Sequence, residues 1–225
     1  MPLNQKKKYK IITFRRYYLD LMLSQVQFFG KVLDIGGKKN NKRGFFRPPL
    51  DIVKSWEYVN IDKTTRPDYL CSADSICVEE NSFDIILLTE VLEHILNPTS
   101  VIQEAKRILK PKGLLIITMP FLYPIHADPD DFQRWTPNKI KLELTIKNFE
   151  IVHLEPMGSL FAVMYDLLHV SLGMASKNKK ALKNRIITKL ILPVIAKFCL
   201  YLDKYYYYKS NWITTGYFII GRKYV

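Results

Sequence analysis

Four short apolar runs limit what this chain can fold into. They are Lys31–Ile35 (KVLDI), Tyr58–Ile61 (YVNI), Phe83–Leu88 (FDIILL) and Leu114–Met119 (LLIITM). The last two are close to continuously apolar rather than alternating, the pattern of strands covered on both faces. Between them, Asn97, Pro98, Thr99 and Ser100 start a helical pattern that runs to Leu109, with Val101, Ala105, Ile108 and Leu109 on one face. Lys110, Pro111, Lys112 and Gly113 stop it. Strand, helix and strand at this spacing form a βαβ crossover, so the expectation is an α/β fold with a mostly parallel sheet.

The remaining pattern extends that layout. A helix is expected around Phe14 to Phe28, a polar and Pro-rich stretch from Pro120 to Pro137, a helix from Pro137 to Lys147 and a strand from Phe149 to Leu154. An apolar helix around Leu160 to Met174, a lysine-rich linker (Ser176 to Lys183), a second helix broken at Pro193 and a last strand, Trp212 to Gly221, complete the chain. At 225 residues and 48% hydrophobic content, the sequence has material for one well-buried domain, and its composition excludes disorder. The three cysteines, Cys71, Cys77 and Cys199, form no CxxC pair and fit a reducing compartment. Cys71 and Cys77 read as core thiols rather than nucleophiles. No secretory signal is evident, and the longest apolar candidate for a membrane span, Pro156 to Ser176, is interrupted by Asp166 and His169.

In an open parallel sheet, ligands bind beyond the carboxyl ends of the strands. Here those ends are polar: Asp34, Gly36 and Gly37 close the first run, Asp62 the second, Asp74 a following short segment, and Thr89 and Glu90 the third. Glycines let backbone approach a ligand, and a carboxylate ending the second strand can accept hydrogen bonds from a ribose diol. A dinucleotide would need a three-glycine turn, but Lys38 and Asn40 stand where further glycines are expected. Acidic residues also suit a cationic sulfonium better than a pyrophosphate.

The chain resembles the class I S-adenosylmethionine-dependent methyltransferases of the type 11 group. The resemblance rests on VLDIGG (Val32 to Gly37), VNID (Val59 to Asp62), Ala73-Asp74-Ser75, FDIILLTEVLEHILNP (Phe83 to Pro98), RILKPKGLLIITMPF (Arg107 to Phe121) and HADPDDFQRWTP (His126 to Pro137). It implies a Rossmann-like three-layer αβα sandwich, whose seven-stranded sheet is mostly parallel with an antiparallel last strand. One domain would span 1–225: a helical cap (1–30), a cofactor-binding core (31–156), a second helical cap (157–210) and the last strand (211–225). S-adenosylmethionine is the implied cofactor, with Asp34, Gly36 and Gly37 beside its methionine half, Asp62 on the ribose, Asp74 on the adenine amino group and Glu90 near the sulfonium. Glu93 and His94 would wall the site. The stretch from Lys38 to Pro49 departs from the family pattern and reads as a loop where a first helix is usual.

His126 is the one neutral-pH proton acceptor in the segment after the fourth strand, so it is the candidate catalytic base, with a wall residue as the other reading. His94, Asp128, Asp131 and Arg134 are the candidate substrate-binding residues, although Asp131 and Arg134 equally suit a structural ion pair. No metal site is assigned: no His/Cys cluster has zinc-ligand spacing, and the aspartates of this segment lack a partner cluster.

The net charge of +13 is uneven: residues 1–50 carry +10, residues 51–170 carry −7 and residues 171–225 carry +10. The acidic centre fits a sulfonium, and the basic flanks speak to the acceptor. Lys183, Arg185, Lys189 and Lys197 among apolar residues from Leu182 to Lys204 suit a peripheral contact with an anionic membrane, or equally a cover over the acceptor site or a homodimer contact. The expected reaction is O-methylation of a sugar, a lipid-linked glycan or another small molecule by a cytoplasmic enzyme, peripheral at the inner face of the membrane where such an acceptor lies. Two rivals stand beside it, an RNA-directed methyltransferase and a cofactor-binding protein without catalysis. Nucleic acid is the weaker partner, because no amino-methylating motif follows the strand that ends at Thr89.

Overall fold

Seven strands form one sheet in the order β3-β2-β1-β4-β5-β7-β6. In chain order they are β1 (Lys31–Ile35), β2 (Ser55–Asn60), β3 (Tyr69–Leu70), β4 (Phe83–Thr89), β5 (Leu109–Pro120), β6 (Phe149–Pro156) and β7 (Gly216–Lys223). Strands β1 to β5 pair in parallel, and β7 runs antiparallel to both β5 and β6. The helices are α1 (Phe14–Leu23), α2 (Pro98–Ile108), α3 (Pro137–Ile146), α4 (Leu160–Ser176) and α5 (Leu192–Tyr206). This computed structural model describes residues 13–40, 44–126, 129–176, 190–206 and 213–224, with the side chains of 174–176 excepted. Asp128, most of the lysine-rich linker and the expected start of the last strand at Trp212 lie outside the described residues.

The apolar runs are explained by burial on both faces of the sheet. Along β4, Phe83, Ile86 and Leu88 pack into the core beneath α2 and α3, while Ile85 and Leu87 pack into the core shared with α1, α4 and α5. Strands β5 and β7 divide in the same way, with Ile117 and Ile219 on the first face and Ile116 and Phe218 on the second. Helix on sheet on helix is the three-layer αβα sandwich expected for this chain.

Several boundaries differ from the sequence reading, among them the start of β2 at Ser55 and the end of β7 at Lys223. Helix α1 ends at Leu23 rather than Phe28, because the Ser24 N–H and hydroxyl both donate to the Asp20 carbonyl and the Gln25 and Val26 N–H groups close onto Met22 and Leu23. Strand β5 begins at Leu109: Phe83 pairs with Leu109 and Ile85 with Leu114, so residues 110–113 bulge from the strand, with Lys112 left-handed at φ 63°. Pro193 lies one residue into the α-helical stretch of α5, just after the helical residues Leu190 and Ile191, and most of the segment expected to precede the break lies outside the described residues. Cys77 is exposed, contrary to the core reading, while Cys71 packs against the core and burial raises its pKa.

Buried carboxylates join the second helical layer. Asp166 of α4 accepts hydrogen bonds from the Phe14 and Arg15 N–H groups at 2.5 and 2.9 Å, capping α1 from outside its own sequence. Asp203 of α5 accepts from the Tyr18 hydroxyl (2.6 Å), the Ser159 N–H (3.0 Å) and hydroxyl (2.5 Å), and the Ala162 N–H (2.9 Å). One fully buried side chain thereby ties α1, the start of α4 and α5 together.

Candidate active site

Strand order reverses between β1 and β4, and a cavity of about 450 Å³ opens beyond their carboxyl ends. Asp34, Gly36, Gly37 and Asp62 all line it. Gly36 is left-handed at φ 79°, and a Cβ there would lie 2.6 Å from Val91 Cγ2. Gly37 lies so close to the Asp34 carboxyl group that a Cβ would overlap it. The turn is clamped from β2, where Asn60 Nδ2 donates to the carbonyls of Gly36 (3.2 Å) and Gly37 (3.1 Å). Asp62 caps the helical turn Lys63–Thr65, its Oδ1 accepting the Thr64 hydroxyl (2.7 Å) and N–H (2.9 Å). Those two bonds hold its pKa below the ordinary carboxylate value.

Two expected cofactor residues lie elsewhere. Asp74 is exposed, accepts from the Ser72 hydroxyl at 2.5 Å and is not among the cavity-lining residues. Glu90 is also absent from the lining; its carboxylate pairs with Arg15 of α1 and accepts the Thr118 hydroxyl at 3.1 Å. Glu90 is left-handed at φ 58°, held there by hydrogen bonds from its N–H to the Thr118 hydroxyl (3.0 Å) and carbonyl (3.3 Å). Thr89, one of the polar strand ends, lines the cavity; sequence reasoning did not place Arg16 and Leu23 of α1 or Phe46 and Pro48 of the loop after β1 there, yet all four line it. The described part of the stretch 38–49 is non-helical, as expected, and its Gly44–Phe45 segment is pinned to α1 by the Phe45 N–H donating to Asp20 at 2.5 Å.

A second group of polar residues gathers beyond β4 and β5. Glu93 and His94 lie in the turn Leu92–His94, and His126 lies in the segment after β5. Glu93 Oε1 is 3.6 Å from His94 Nε2 and 3.9 Å from His126 Nε2. The Glu93 side chain is fully buried, neither carboxylate oxygen has a hydrogen-bond partner, and burial raises its pKa. His126 is brought down to about 4, first by burial and then by the positive charge of Arg15, so it is neutral at pH 7 and a weak base. The Arg15 guanidinium lies over the Tyr123 ring, 3.9 Å from its centroid.

Asp131 and Arg134 form a two-bonded ion pair, and Asp131 also accepts the His126 N–H at 2.9 Å. That pair and the Arg134 hydrogen bonds bring Asp131 down to about 2. The segment is laced to the β4 exit: Phe132 N–H donates to the Glu93 carbonyl (2.8 Å), and Gln133 Nε2 donates to those of Ile95 (2.6 Å) and Leu92 (3.3 Å). Asp131 and Arg134 therefore hold the loop that presents His126.

The fold recurs in solved structures. The chain superposes on the [4+2]-cyclase SpnF with a TM-score of 0.61 at 18% identity, covering 94% of this chain and 81% of that one. It matches phosphoethanolamine N-methyltransferase 2 of Haemonchus contortus, bound to S-adenosylhomocysteine, at TM-score 0.55 and 14% identity, covering 93% and 53%. A methyltransferase of Methanosarcina mazei matches at 0.53 and 15%, covering 91% and 97%. Among curated proteins, ubiquinone biosynthesis O-methyltransferase of Actinobacillus pleuropneumoniae is 33% identical over 75 residues, 31% of each chain. That of Glaesserella parasuis is 51% identical over 43 residues, 19% of this chain and 18% of its own. The matches span less than a third of those relatives.

The donor set fits S-adenosylmethionine, the family's cofactor: the glycine turn packs its backbone against Val91 and Asp34 where side chains would collide, and the carboxylates of Asp34 and Asp62 line the cavity, a chemistry that would suit a cation and a ribose diol. The methyltransferase domain model matches residues 13–141, from the start of α1 through β5 into α3, and the chain belongs to that family of S-adenosylmethionine-dependent methyltransferases.

Proposed function

We propose that the protein transfers a methyl group from S-adenosylmethionine to a hydroxyl oxygen of a small acceptor, a sugar or a lipid-linked glycan. The observation that carries the methyl-transfer reading is the packing of Gly37 against the Asp34 carboxylate in a cavity that Asp62 also lines. When bound, the cofactor supplies a methyl group activated by its sulfonium. Asp34, Gly36 and Gly37 would hold its methionine half and Asp62 its ribose. The transferred methyl would pass from sulfur to the acceptor oxygen, with the hydroxyl proton released to solvent and S-adenosylhomocysteine as the product. Transfer from a sulfonium needs positioning more than a strong base, which suits a His126 brought down to about 4. Oxygen as the acceptor atom is supported by the O-methyltransferase relatives, and that step rests on analogy.

The basic flanks and α5 support a lipid-linked acceptor. Val194, Phe198, Tyr201 and Tyr205 are exposed on α5 beside exposed Lys197 and Lys204, a surface suited to the face of an anionic membrane. Among the described residues no helix is long and apolar enough to cross a membrane. Incubation with methyl-labelled S-adenosylmethionine and extracted glycolipids, free sugars or RNA tests the acceptor. Label in the sugar or glycolipid fraction supports the reading, and label confined to RNA overturns it.

A further inference from the structure

We infer that Glu93, His94 and His126 form a binding site for a divalent transition-metal ion, at which an acceptor oxygen would be held. The proposal rests on the methyl-transfer reading for its use, but not for its existence.

The argument begins with protons. His94 Nδ1 lies 2.5 Å from the Asp130 carbonyl, which can only accept, so Nδ1 carries the hydrogen and Nε2 a lone pair. His126 Nδ1 faces the Pro124 carbonyl at 3.3 Å and Asp131 Oδ2 at 3.4 Å, two further acceptors, so its Nε2 is also a lone pair. Both Nε2 atoms turn toward Glu93 Oε1, at 3.6 and 3.9 Å. Three lone-pair atoms thus converge within 4.8 Å of one another with no hydrogen between them. A proton shared by one pair would not close a hydrogen bond at these separations. A metal with bonds of about 2.0–2.2 Å accepts all three at once, after a contraction of a few tenths of an ångström.

The second observation is Glu93 itself. Its side chain is fully buried and neither oxygen is hydrogen-bonded, an expensive arrangement for a carboxylate unless a cation completes it. The Arg15 guanidinium pairs with Glu90 and lies on Tyr123, and Arg134 pairs with Asp131; their charges reach Glu93, but neither donates a hydrogen bond to it. Backbone carbonyls orienting both imidazoles, and the Asp131 carboxylate behind His126, are the outer partners that metal-ligating histidines use. Two imidazoles and one carboxylate suit a divalent first-row ion with coordination positions left open, and the 30% exposed side chain of His126 leaves a way in. An acceptor hydroxyl taking an open position would be polarised there and would lose its proton to water as the methyl arrives.

Cobalt(II) reports such a site through its visible absorption. Chelator-treated protein titrated with Co²⁺, without S-adenosylmethionine, should bind one ion per chain with d–d bands that Zn²⁺ abolishes. Glu93→Gln should weaken binding at least tenfold. His126→Ala, at a half-exposed position that folding tolerates better, should do the same while circular dichroism stays as in wild type. Absence of stoichiometric binding by the wild type, or equal binding by a folded His126→Ala variant, would overturn the site. Since the titration contains no cofactor, either failure leaves the methyl-transfer reading to its own test.

Discussion

Gly37 lies against the carboxyl group of Asp34, so that a single methyl group at position 37 would overlap it. This relationship ties the sharpness of the turn after β1 to the placement of the acidic group that closes that strand. Gly37→Ala should displace Asp34 or shift the turn, lowering S-adenosylmethionine affinity at least tenfold. Its cost to folding should stay near the about 1–3 kcal/mol typical of overpacking. Calorimetric titration alongside thermal unfolding separates the two effects.

Asp203 of α5 serves four donors, one on α1 and three at the start of α4, from a fully buried position. Asp203→Ala strands the Tyr18 hydroxyl and the N–H groups at the start of α4. It should destabilise the fold by about 3 kcal/mol or more, as removal of a buried hydrogen-bonded charge does. Urea unfolding measures the loss, and a change under about 1 kcal/mol would contradict the network.

Burial lifts Asp166 to about 6 from the ordinary 3.8, although the Phe14 and Arg15 N–H groups favour its charged form. A carboxyl whose folded value is raised binds its proton more tightly in the folded state. Its contribution to stability is fully present below about pH 4 and is lost as pH rises through about 6. Wild-type stability relative to Asp166→Asn should therefore fall across that window, by on the order of 3 kcal/mol at most. Unfolding curves of both proteins at pH 4, 5, 6 and 7 give the trend.

Arg15 and Glu90 are each largely buried and pair with each other, although Arg15 also feels the charges of Glu93 and Asp166. Arg15→Met and Glu90→Gln should both be destabilising, while the double variant recovers part of the loss. The coupling should be about 2 kcal/mol in a double-mutant cycle. Additive effects would show that Tyr123 and Thr118, rather than the pair, hold these side chains.

The antiparallel β7 was expected from the family resemblance alone, and the strand order β3-β2-β1-β4-β5-β7-β6 was not read at all. The parallel strands and the end of the sheet where the cavity lies were legible because doubly buried strands leave continuous apolar runs and their polar ends stand out beside them. Asp34, Gly36, Gly37 and Asp62 followed from that pattern. Asp74 and Glu90 did not, since proximity to a strand end does not say whether a neighbour such as Ser72 or Arg15 engages the carboxylate first. The meeting of Glu93 and His94 with His126 was also beyond sequence spacing, because the β4 exit and the segment after β5 are joined through Gln133 and Phe132. The share of α1 in the cavity is a tertiary fact: Arg16 and Leu23 reach it because Asp166 and Asp203 dock that helix onto the second layer.

The central claim is that the β1 turn and the β2 end form an S-adenosylmethionine site, and calorimetry with that cofactor tests it most directly. Wild type should bind one equivalent, and Asp62→Ala, which removes the acceptor at the end of β2, should bind at least tenfold more weakly, with an unfolding temperature lowered only by the few degrees that loss of the Thr64 cap costs. No binding by the wild type, or equal binding by the variant, would contradict the account.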